Sequence, residues 1–391
     1  MKIVSVVGAR PNFVKVAALH RAILAHNERG DSPLIEHVLI HTGQHHDPAM
    51  TAGFFDGENA LKPRHFLGIA GGSHADQVGR TMSAIEAPLL AERPDWVVVV
   101  GDVNSTMAAA LVAKKLLIKV AHVESGLRSG DWTMPEEINR IVTDRISDLL
   151  LCNTERARAN LLAEGVEAWR TEVTGNVMID TLDANVDAIM MDPSQIVRRA
   201  AIDGQDAPET LPRELGIITL HRPGSVDDAG KLFETLQTIL SFHDDFVFVY
   251  PIHPRVAAVF KQTDHLNQLL ADPRIIVTPP LPYRELLNLN AHARIVVTDS
   301  GGLQEECMIW GTPCVTLRPN TERPETLVEN GGTSVLSSAI PEELHAAMRQ
   351  MASRDRSRFR PPLWDGESAD RVLEAMVWRK DDAARGTEAG A

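Results

Sequence analysis

Short, uninterrupted apolar runs rich in Val and Ile recur along the chain and most constrain its fold. The clearest are KIVSVV at 2–7, WVVVV at 96–100 and FVFVY at 246–250. Strands that are apolar on both faces are typical of parallel sheets that helices cover on both sides. Helix-forming segments lie between these runs, so the sequence predicts an α/β fold.

The alternation of predicted strands and helices occurs twice, which indicates two consecutive α/β domains. The predicted strands are 2–7, 38–41, 96–100, 120–123 and 149–152, then 216–220, 246–250, 275–277, 295–298 and, as the last, 313–317. A length of 391 residues accommodates two domains of ordinary size. We expect a first domain over 1–177, a second over 178–366, and a disordered tail over 381–391.

The composition disfavours several classes of function. Lys and Arg number 39 against 53 Asp and Glu, and this net charge of −14 disfavours nucleic-acid binding through a broad basic surface. Three Cys without a CxxC pair form no disulfide framework and indicate a reducing compartment. The N-terminal apolar stretch is too short for a signal peptide, and the longest apolar run, 107–113, is too short to span a membrane. We expect a cytoplasmic protein without nucleic-acid or membrane partners.

Charged residues follow the predicted strands of the first half at their carboxyl ends, where open α/β sheets bind ligands. Arg10 and Lys15 lie at the start of the first helix, and a helix N-terminus favours an anion. Asp102 and Glu124 each come just after an apolar run, and Glu136 lies in the first turn of a predicted helix. Carboxylates at such positions are suited to moving protons.

Each of these carboxylates also has a purely structural explanation. Asp102 would cap the helix that follows it. Glu124 would form a surface ion pair with Arg128, and Glu136 would interact only with the dipole of its own helix.

The second half has its strongest local pattern at 298–306, where TDSGGLQEE ends a strand and opens a helix. A pair of glycines before a helix brings backbone N–H groups close to a ligand and binds phosphate without Lys. Glu306 would hold sugar hydroxyls, and the guanidinium of Arg323 matches phosphate oxygens. His221 follows a strand beside Arg222, which favours a functional role over a purely structural one.

Other well-known sites are missing from the sequence. It contains no Walker A loop and no G-x-S-x-G motif, and the first strand–helix junction has no GxGxxG. His41, His45 and His46 cluster in HTGQHH, but no carboxylate or Cys completes a recognised metal spacing, so we expect an exposed polar loop. Carboxylates, a histidine and phosphate-binding groups together suit a phosphate-linked sugar, whose diphosphate the cations would stabilise as it departs.

Seven motifs carry a resemblance to a known family. They are, in chain order, GARPNFVK, VVGDVNST, HVESGLR, MPEEINR, TLHRP, TDSGGLQEE and TERPE. Together they resemble the non-hydrolysing UDP-N-acetylglucosamine 2-epimerases over residues 1 to about 330. The resemblance implies a GT-B-like α/β fold: two Rossmann-like domains with parallel sheets and the nucleotide sugar in an interdomain cleft. It also implies a homodimer and a C-terminal helix, about 367–380, that packs back on the first domain.

The resemblance further implies a reaction and the residues that perform it. UDP-GlcNAc would lose its C2 proton and UDP by anti elimination, pass through 2-acetamidoglucal and give UDP-ManNAc without metal or redox cofactor. The implied catalytic residues are Asp102, Glu124, Glu136 and His221. The implied UDP-sugar ligands are Arg10, Lys15, Tyr283, Ser300, Gly301, Gly302, Glu306 and Arg323. Three acids near one diphosphate are expected to raise one another's pKa and to titrate as a group.

Some positions depart from the family pattern. Gly224-Ser225 stand where the family often has Glu-Asn. Gln44 and His45 match part of a regulatory UDP-GlcNAc site of some bacterial members. However, Asp47 stands where that site has Gln, and Gly71 where it has Arg. We therefore expect weak or absent activation by substrate.

Four alternative functions stay open at this point. A relative that acts on UDP-2,3-diacetamido-2,3-dideoxyglucuronic acid shares nearly all of these motifs. A hydrolysing 2-epimerase would differ only in its product, free ManNAc. A GT-B glycosyltransferase would need an acceptor groove, and a nucleotide-sugar sensor would have lost catalysis.

Overall fold

The computed structural model describes residues 1–43, 61–202, 205, 209–210, 214–243, 245–261 and 263–388. The chain forms two compact units, one of Met1–Ala184 with Pro361–Ala391 and one of Asn185–Arg360. The first unit thus extends to Ala184, where we expected it to end at 177, and the second unit ends at Arg360, where we expected 366.

The first unit contains a seven-stranded sheet in the order β3-β2-β1-β4-β5-β6-β7. Its strands are β1 (Lys2–Val7), β2 (Glu36–His41), β3 (His65–Phe66), β4 (Trp96–Val100), β5 (Lys119–Ser125), β6 (Leu149–Cys152) and β7 (Thr171–Val173). All of these neighbours pair in parallel, as predicted. The sequence analysis missed β3 and β7 because both are too short to show a clear apolar run.

Helices pack on both faces of this sheet. They are α1 (Arg10–Arg29), α2 (His74–Glu92), α3 (Asn104–Lys115), α4 (Pro135–Ile146), α5 (Glu155–Ala163) and α6 (Val177–Asp183). One apolar cluster places Phe13 of α1 against β1 and β4, and another places Ile85 of α2 and Ala109 of α3 on the opposite face. Helix α6 stays with this unit because Thr181 donates to the carbonyl of Val14 (2.7 Å) and accepts from Arg21 (3.0 Å).

The second unit contains a six-stranded parallel sheet in the order β10-β9-β8-β11-β12-β13. Its strands are β8 (Glu214–Thr219), β9 (Phe246–Pro251), β10 (Ile275–Thr278), β11 (Ile295–Thr298), β12 (Cys314–Leu317) and β13 (Ser334–Ser337). The expectation that 313–317 is the last strand was wrong. Strand β13 is only four residues long and has Ser at both ends, so it gives little apolar signal.

Helices also cover both faces of the second sheet. They are α7 (Pro193–Ala200), α8 (Pro223–Val226), α9 (Ala229–Leu240), α10 (Pro254–Phe260), α11 (His265–Leu270), α12 (Tyr283–His292), α13 (Gly301–Trp310) and α14 (Pro341–Ala352). Leu236 of α9 and Met348 of α14 belong to one apolar cluster, and Leu289 of α12 and Cys307 of α13 to the other.

The last helix, α15 (Ser368–Glu388), belongs to the first unit. Its buried Leu373 lies in the same apolar cluster as Phe13, and the amide of Ala369 donates to Asp180 Oδ2 (2.6 Å). The helix continues through 381–388, a segment that we expected to be disordered and that contains the helix formers Ala and Arg. Residues 389–391 lie outside the described part of the chain. Among the helices described, none is long and apolar enough to cross a membrane.

The attachment of α15 can be tested by cavity formation. We expect Leu373→Ala to lower the free energy of unfolding by about 2–5 kcal/mol, because the side chain is 3 % exposed within an apolar cluster. Glu374→Ala, at an exposed position on the same helix, should change it by less than about 0.5 kcal/mol. Urea unfolding measures both, and equal effects would contradict this packing.

Candidate active site

The turn between β1 and α1 is held by Asn12, a residue that the sequence analysis did not select. Its Oδ1 accepts hydrogen bonds from the amides of Gly8 (3.2 Å) and Ala9 (3.0 Å), and its Nδ2 donates to the carbonyl of Val100 (2.9 Å). Asn12 therefore fastens the start of α1 to the end of the neighbouring strand β4. The first residue of α1 is Arg10.

Lys15 and Glu124 form a buried ion pair beside this turn. Lys15 Nζ contacts Glu124 Oε2, and the two residues are only 5 % and 6 % exposed. Glu124 lies at an irregularity in β5, where the pairing register shifts between Val123 and Ser125. Because Glu124 is buried and Arg128 instead binds Asp144, the alternative of a surface pair between Glu124 and Arg128 is wrong.

The backbone of Glu124 is strained. Its φ of 70° lies in the left-handed region, which costs a residue with a side chain about 1–3 kcal/mol. Such a conformation persists where surrounding contacts determine it, and it is concentrated at functional sites. One such contact is the ion pair of its side chain with Lys15, which fixes the direction of this carboxylate.

A glycine makes room for that pair at the end of β4. Gly101 has a φ of 68°, and a Cβ atom there would lie 3.1 Å from Glu124 Oε2 and 3.6 Å from Lys15 Nζ. Its amide donates to the carbonyl of Val123 (3.1 Å). The position therefore favours glycine because of both its conformation and the space available.

Helix α4 holds Asp102 by its side chain and by its main chain. Arg140 Nη1 donates to Asp102 Oδ2 (2.8 Å), and Asn139 Nδ2 donates to the Asp102 carbonyl (2.8 Å). Arg140 is 1 % exposed and also pairs with Glu137 (2.9 Å). Asp102 does not cap the next helix, as the structural alternative required, because the N-cap residue of α3 is Val103.

Glu136 lies on α4 beside these groups. It is in the first turn, next to Glu137, and it is partly exposed. Its carboxylate forms no hydrogen bond or ion pair within the described residues. Helix α4 therefore fixes Asp102 with one set of side chains and carries Glu136 without an ion-pair partner among the described residues.

In the second unit, a buried carboxylate orients His221. Asp299 Oδ1 lies 2.9 Å from His221 Nδ1, and the Asp299 carboxylate accepts from the amides of His221 (3.0 Å) and Arg222 (2.9 Å). Burial raises the pKa of Asp299, but His221 and the two amides outweigh it and hold the pKa below its ordinary value. His221 remains partly exposed, so its Nε2 is the ring nitrogen that can meet a ligand.

The N-terminus of α13 lies next to Arg323. Ser300 caps the helix by accepting from the amide of Leu303 (3.5 Å), and Gly301 and Gly302 form its first two positions. A Cβ atom on Gly301 would lie 2.5 Å from Arg323 Nη1, so only glycine lets the guanidinium approach this closely.

Arg323 belongs to a buried charge cluster that the sequence analysis found only in part. Arg323 pairs with Glu322 and, through Nε, with Glu305 (3.1 Å), while Arg318 pairs with Glu322 (2.6 Å). Glu306 is 6 % exposed on the same helix as Glu305. Glu322 lies beside Arg323 in TERPE, which is the one sequence signal that could have indicated these partners.

The remaining predicted residues are placed as follows. Tyr283 is the first residue of α12 and is 7 % exposed. His41 is buried between Phe13 and Phe66, with both ring centroids 4.9 Å away, so the expectation of an exposed polar loop was wrong for it. The calls on Gln44, His45, His46 and Asp47 lie outside the described residues. Within the described ranges, no group of three or more His, Cys, Asp or Glu is placed to hold a metal ion.

Two Rossmann-like units with parallel sheets, and polar groups gathered at the carboxyl ends of their strands, define the GT-B-like class. A family model described as UDP-N-acetylglucosamine 2-epimerase matches residues 27–377. The chain belongs to the UDP-N-acetylglucosamine 2-epimerase family.

Named relatives agree with this membership over almost the whole chain. A UDP-N-acetylglucosamine 2-epimerase of Methanocaldococcus jannaschii is 37 % identical, with 97 % of this chain and all of the relative covered. A crystal structure of the M. jannaschii enzyme with UDP-GlcNAc and UDP has a TM-score of 0.86 at 36 % identity, covering 97 % and 100 % of the two chains. A UDP-2,3-diacetamido-2,3-dideoxy-D-glucuronate 2-epimerase of Pseudomonas aeruginosa is 36 % identical, covering 96 % and 99 %.

The crowding at Gly101 can be tested by adding a methyl group. We expect Gly101→Ala to lower the free energy of unfolding by about 1–3 kcal/mol, because Ala is strained at this φ and approaches Glu124. Gly79→Ala is the matched control in helix α2, where a Cβ atom meets nothing within 4 Å. That change should stabilise by about 0.5–1 kcal/mol. Urea unfolding compares the two variants. If Gly101→Ala stabilised the protein, position 101 would not require glycine.

The low pKa of Asp299 predicts how stability depends on pH. A depressed folded-state pKa contributes stability that is complete above the ordinary aspartate value of about 3.9 and is lost as pH falls through the folded-state value. We expect Asp299→Asn to cost about 1–3 kcal/mol at pH 7 and progressively less below pH 4. Asp245→Asn, at a side chain 78 % exposed, serves as control. Denaturant unfolding across this pH range measures the difference, and a constant gap would refute the prediction.

Proposed function

We propose that the chain interconverts UDP-GlcNAc and UDP-ManNAc by reversible, non-hydrolytic epimerisation at C2. The observation that carries this proposal is the pair of carboxylates at neighbouring strand ends, Asp102 and Glu124, each fixed by its own cation. Carboxylates held in fixed directions are suited to removing and returning a proton at carbon. Membership of the epimerase family supports the same chemistry over glycosyl transfer or simple sensing.

In the proposed reaction, a carboxylate takes the C2 proton and the C2–H electron pair forms the C1=C2 double bond of 2-acetamidoglucal. The C1–O bond breaks, and its electrons leave with the UDP oxygen. A proton then returns to C2 from the other face, and the same UDP oxygen bonds to C1. Substrate and product have the same atoms and oxidation state, so the cycle consumes no oxidant or reductant.

The first unit supplies the proton-transfer groups in this proposal. Asp102, Glu124 and Glu136 act at the sugar, and Lys15 and Arg10 are proposed ligands of the UDP-sugar. Glu136, which has no ion-pair partner among the described residues, suits an acid that changes its protonation state in each cycle. The assignment of the two proton-transfer steps among the three acids stays open.

The second unit supplies the UDP-binding groups in this proposal. The N-terminus of α13 and Arg323 together present amides and a guanidinium, which suit a diphosphate. His221, oriented by Asp299, would donate from Nε2 to the departing UDP oxygen. The proposed UDP-sugar ligands in this unit are Ser300, Gly301, Gly302, Glu306, Arg323 and Tyr283. That both units act on one molecule, and that the protein is a homodimer, stay predictions.

A second substrate is supported by one specific comparison. The P. aeruginosa relative named as a UDP-2,3-diacetamido-2,3-dideoxy-D-glucuronate 2-epimerase is 36 % identical to this chain, against 37 % for the M. jannaschii enzyme. We therefore keep that sugar as the alternative substrate, with the same C2 chemistry.

Proton NMR in D₂O with UDP-GlcNAc, without added metal or NAD, tests the proposal. We expect deuterium to enter C2 and a UDP-ManNAc signal to appear. Free ManNAc would instead place the protein with hydrolysing 2-epimerases. Absence of exchange with both UDP-GlcNAc and UDP-ManNAc would overturn the proposed substrate, and the diacetamido-glucuronate sugar would then be assayed.

Variants separate catalysis, measured as turnover, from binding, measured as UDP affinity. Asp102→Asn should lower kcat by about 100-fold or more while UDP affinity, measured by calorimetry, stays within about two-fold. Glu155→Gln is the matched control, since that carboxylate is 78 % exposed on α5. Equal turnover of Asp102→Asn and Glu155→Gln would exclude Asp102 from the reaction.

A further inference from the structure

Two buried residues of the first unit lie directly behind the proposed proton-transfer groups and have no role in the reaction described above. His122 on β5 is 0 % exposed and Asp144 on α4 is 1 % exposed. His122 Nδ1 lies 2.6 Å from Asp144 Oδ1, and His122 Nε2 lies 2.8 Å from the carbonyl oxygen of Gly101. That carbonyl belongs to the peptide bond leading into Asp102.

The other oxygen of Asp144 reaches the end of the adjacent strand. Asp144 Oδ2 accepts from the amide of Gly126 (3.1 Å) and from Arg128 Nη1 (2.7 Å). Gly126 comes two residues after Glu124, just past the register shift in β5. Arg128 is held in turn by Glu164, through two hydrogen bonds of 2.8 Å. The pair therefore contacts the main chain next to Asp102 and the main chain next to Glu124.

The chemistry of the contacts defines which atoms donate. The Gly101 carbonyl can only accept, so His122 Nε2 must donate to it. Burial raises the pKa of Asp144, but His122 and Arg128 outweigh burial and hold the pKa below its ordinary value, so Asp144 accepts as a carboxylate. The Gly101 carbonyl at Nε2 and the Asp144 carboxylate at Nδ1 together fix the orientation of the His122 ring.

We propose that His122 and Asp144 are positioning residues. They bridge the ends of β4 and β5 and so hold the carboxylates of Asp102 and Glu124 at a fixed distance and orientation relative to each other. The inference rests on the proposed function. Neither side chain is exposed, so the two residues act through the main chain and not on the substrate. Glu124 has a positive φ at the end of β5, and a strained conformation of this kind persists only where surrounding contacts determine it, so a bridge behind this strand end supports it.

Substitutions of His122 separate its two hydrogen bonds. His122→Gln can still place a donor near the Gly101 carbonyl, His122→Asn can still place one near Asp144, and His122→Phe keeps the ring but loses both. The matched control is His26→Phe, since His26 is 8 % exposed on α1 and contacts a backbone carbonyl, that of Pro33 (3.0 Å), away from these strand ends.

Turnover and UDP affinity give the first test. We expect His122→Phe to lower kcat by about 100-fold, the effect of displacing reacting groups by about 1 Å, with UDP affinity unchanged. His122→Gln should recover part of the loss, and His26→Phe should keep normal turnover. Equal kcat for His122→Phe and His26→Phe would overturn the inference. Parallel loss of kcat and UDP affinity would also overturn it, because it would show a general structural role.

Amide hydrogen exchange gives a test that does not depend on activity. In His122→Phe, we expect faster amide exchange at both 101–103 and 124–128. In Asp144→Asn, we expect the increase mainly at 124–128. If the wild type turns over neither UDP-GlcNAc nor the diacetamido sugar, the proposed function fails while this measurement still decides the bridge. Unchanged exchange at both strand ends would overturn the bridge, whatever the substrate is.

Discussion

The adjacency of β1, β4 and β5 in one parallel sheet is the constraint on which the first unit depends. Parallel strands all end at the same edge, so residues far apart in the chain meet there. The amide of Asn12 joins the turn after β1 to Val100, and Lys15 of the following helix meets Glu124 of β5. Each of these contacts joins a residue that follows one strand to a residue at the end of another strand of the sheet.

Buried charge determines how these strand ends are built. A charge removed from water is costly unless it is paired and hydrogen-bonded. The first unit meets this condition in two places: Arg140 pairs with both Asp102 and Glu137, and Asp144 contacts both His122 and Arg128. The carboxylates proposed to act on the sugar are thus held by charged groups that have no proposed role in the chemistry.

The second unit solves a related problem with a different balance of charge. Arg318 and Arg323 are separated by Glu322, and Glu305 lies on the far side of Arg323. The carboxylates keep the guanidinium groups in place beside the start of α13, and Gly301 leaves the space for Arg323 to lie there. In the proposed function, a diphosphate meets guanidinium groups that are already oriented, which reduces the entropy lost when it binds.

The sequence by itself determined the two parallel sheets and the family, because uninterrupted apolar strands and ordered motifs are local properties of the chain. It also indicated Asp102, Glu124 and His221, since each follows an apolar run. Only the tertiary structure identified His122, Asp144 and their partners. Their pairing joins segments that are distant in sequence. The role of a buried polar residue cannot be inferred until the residue that it contacts is known. The same holds for Glu124, whose backbone is left-handed and whose carboxylate pairs with a lysine more than a hundred residues away.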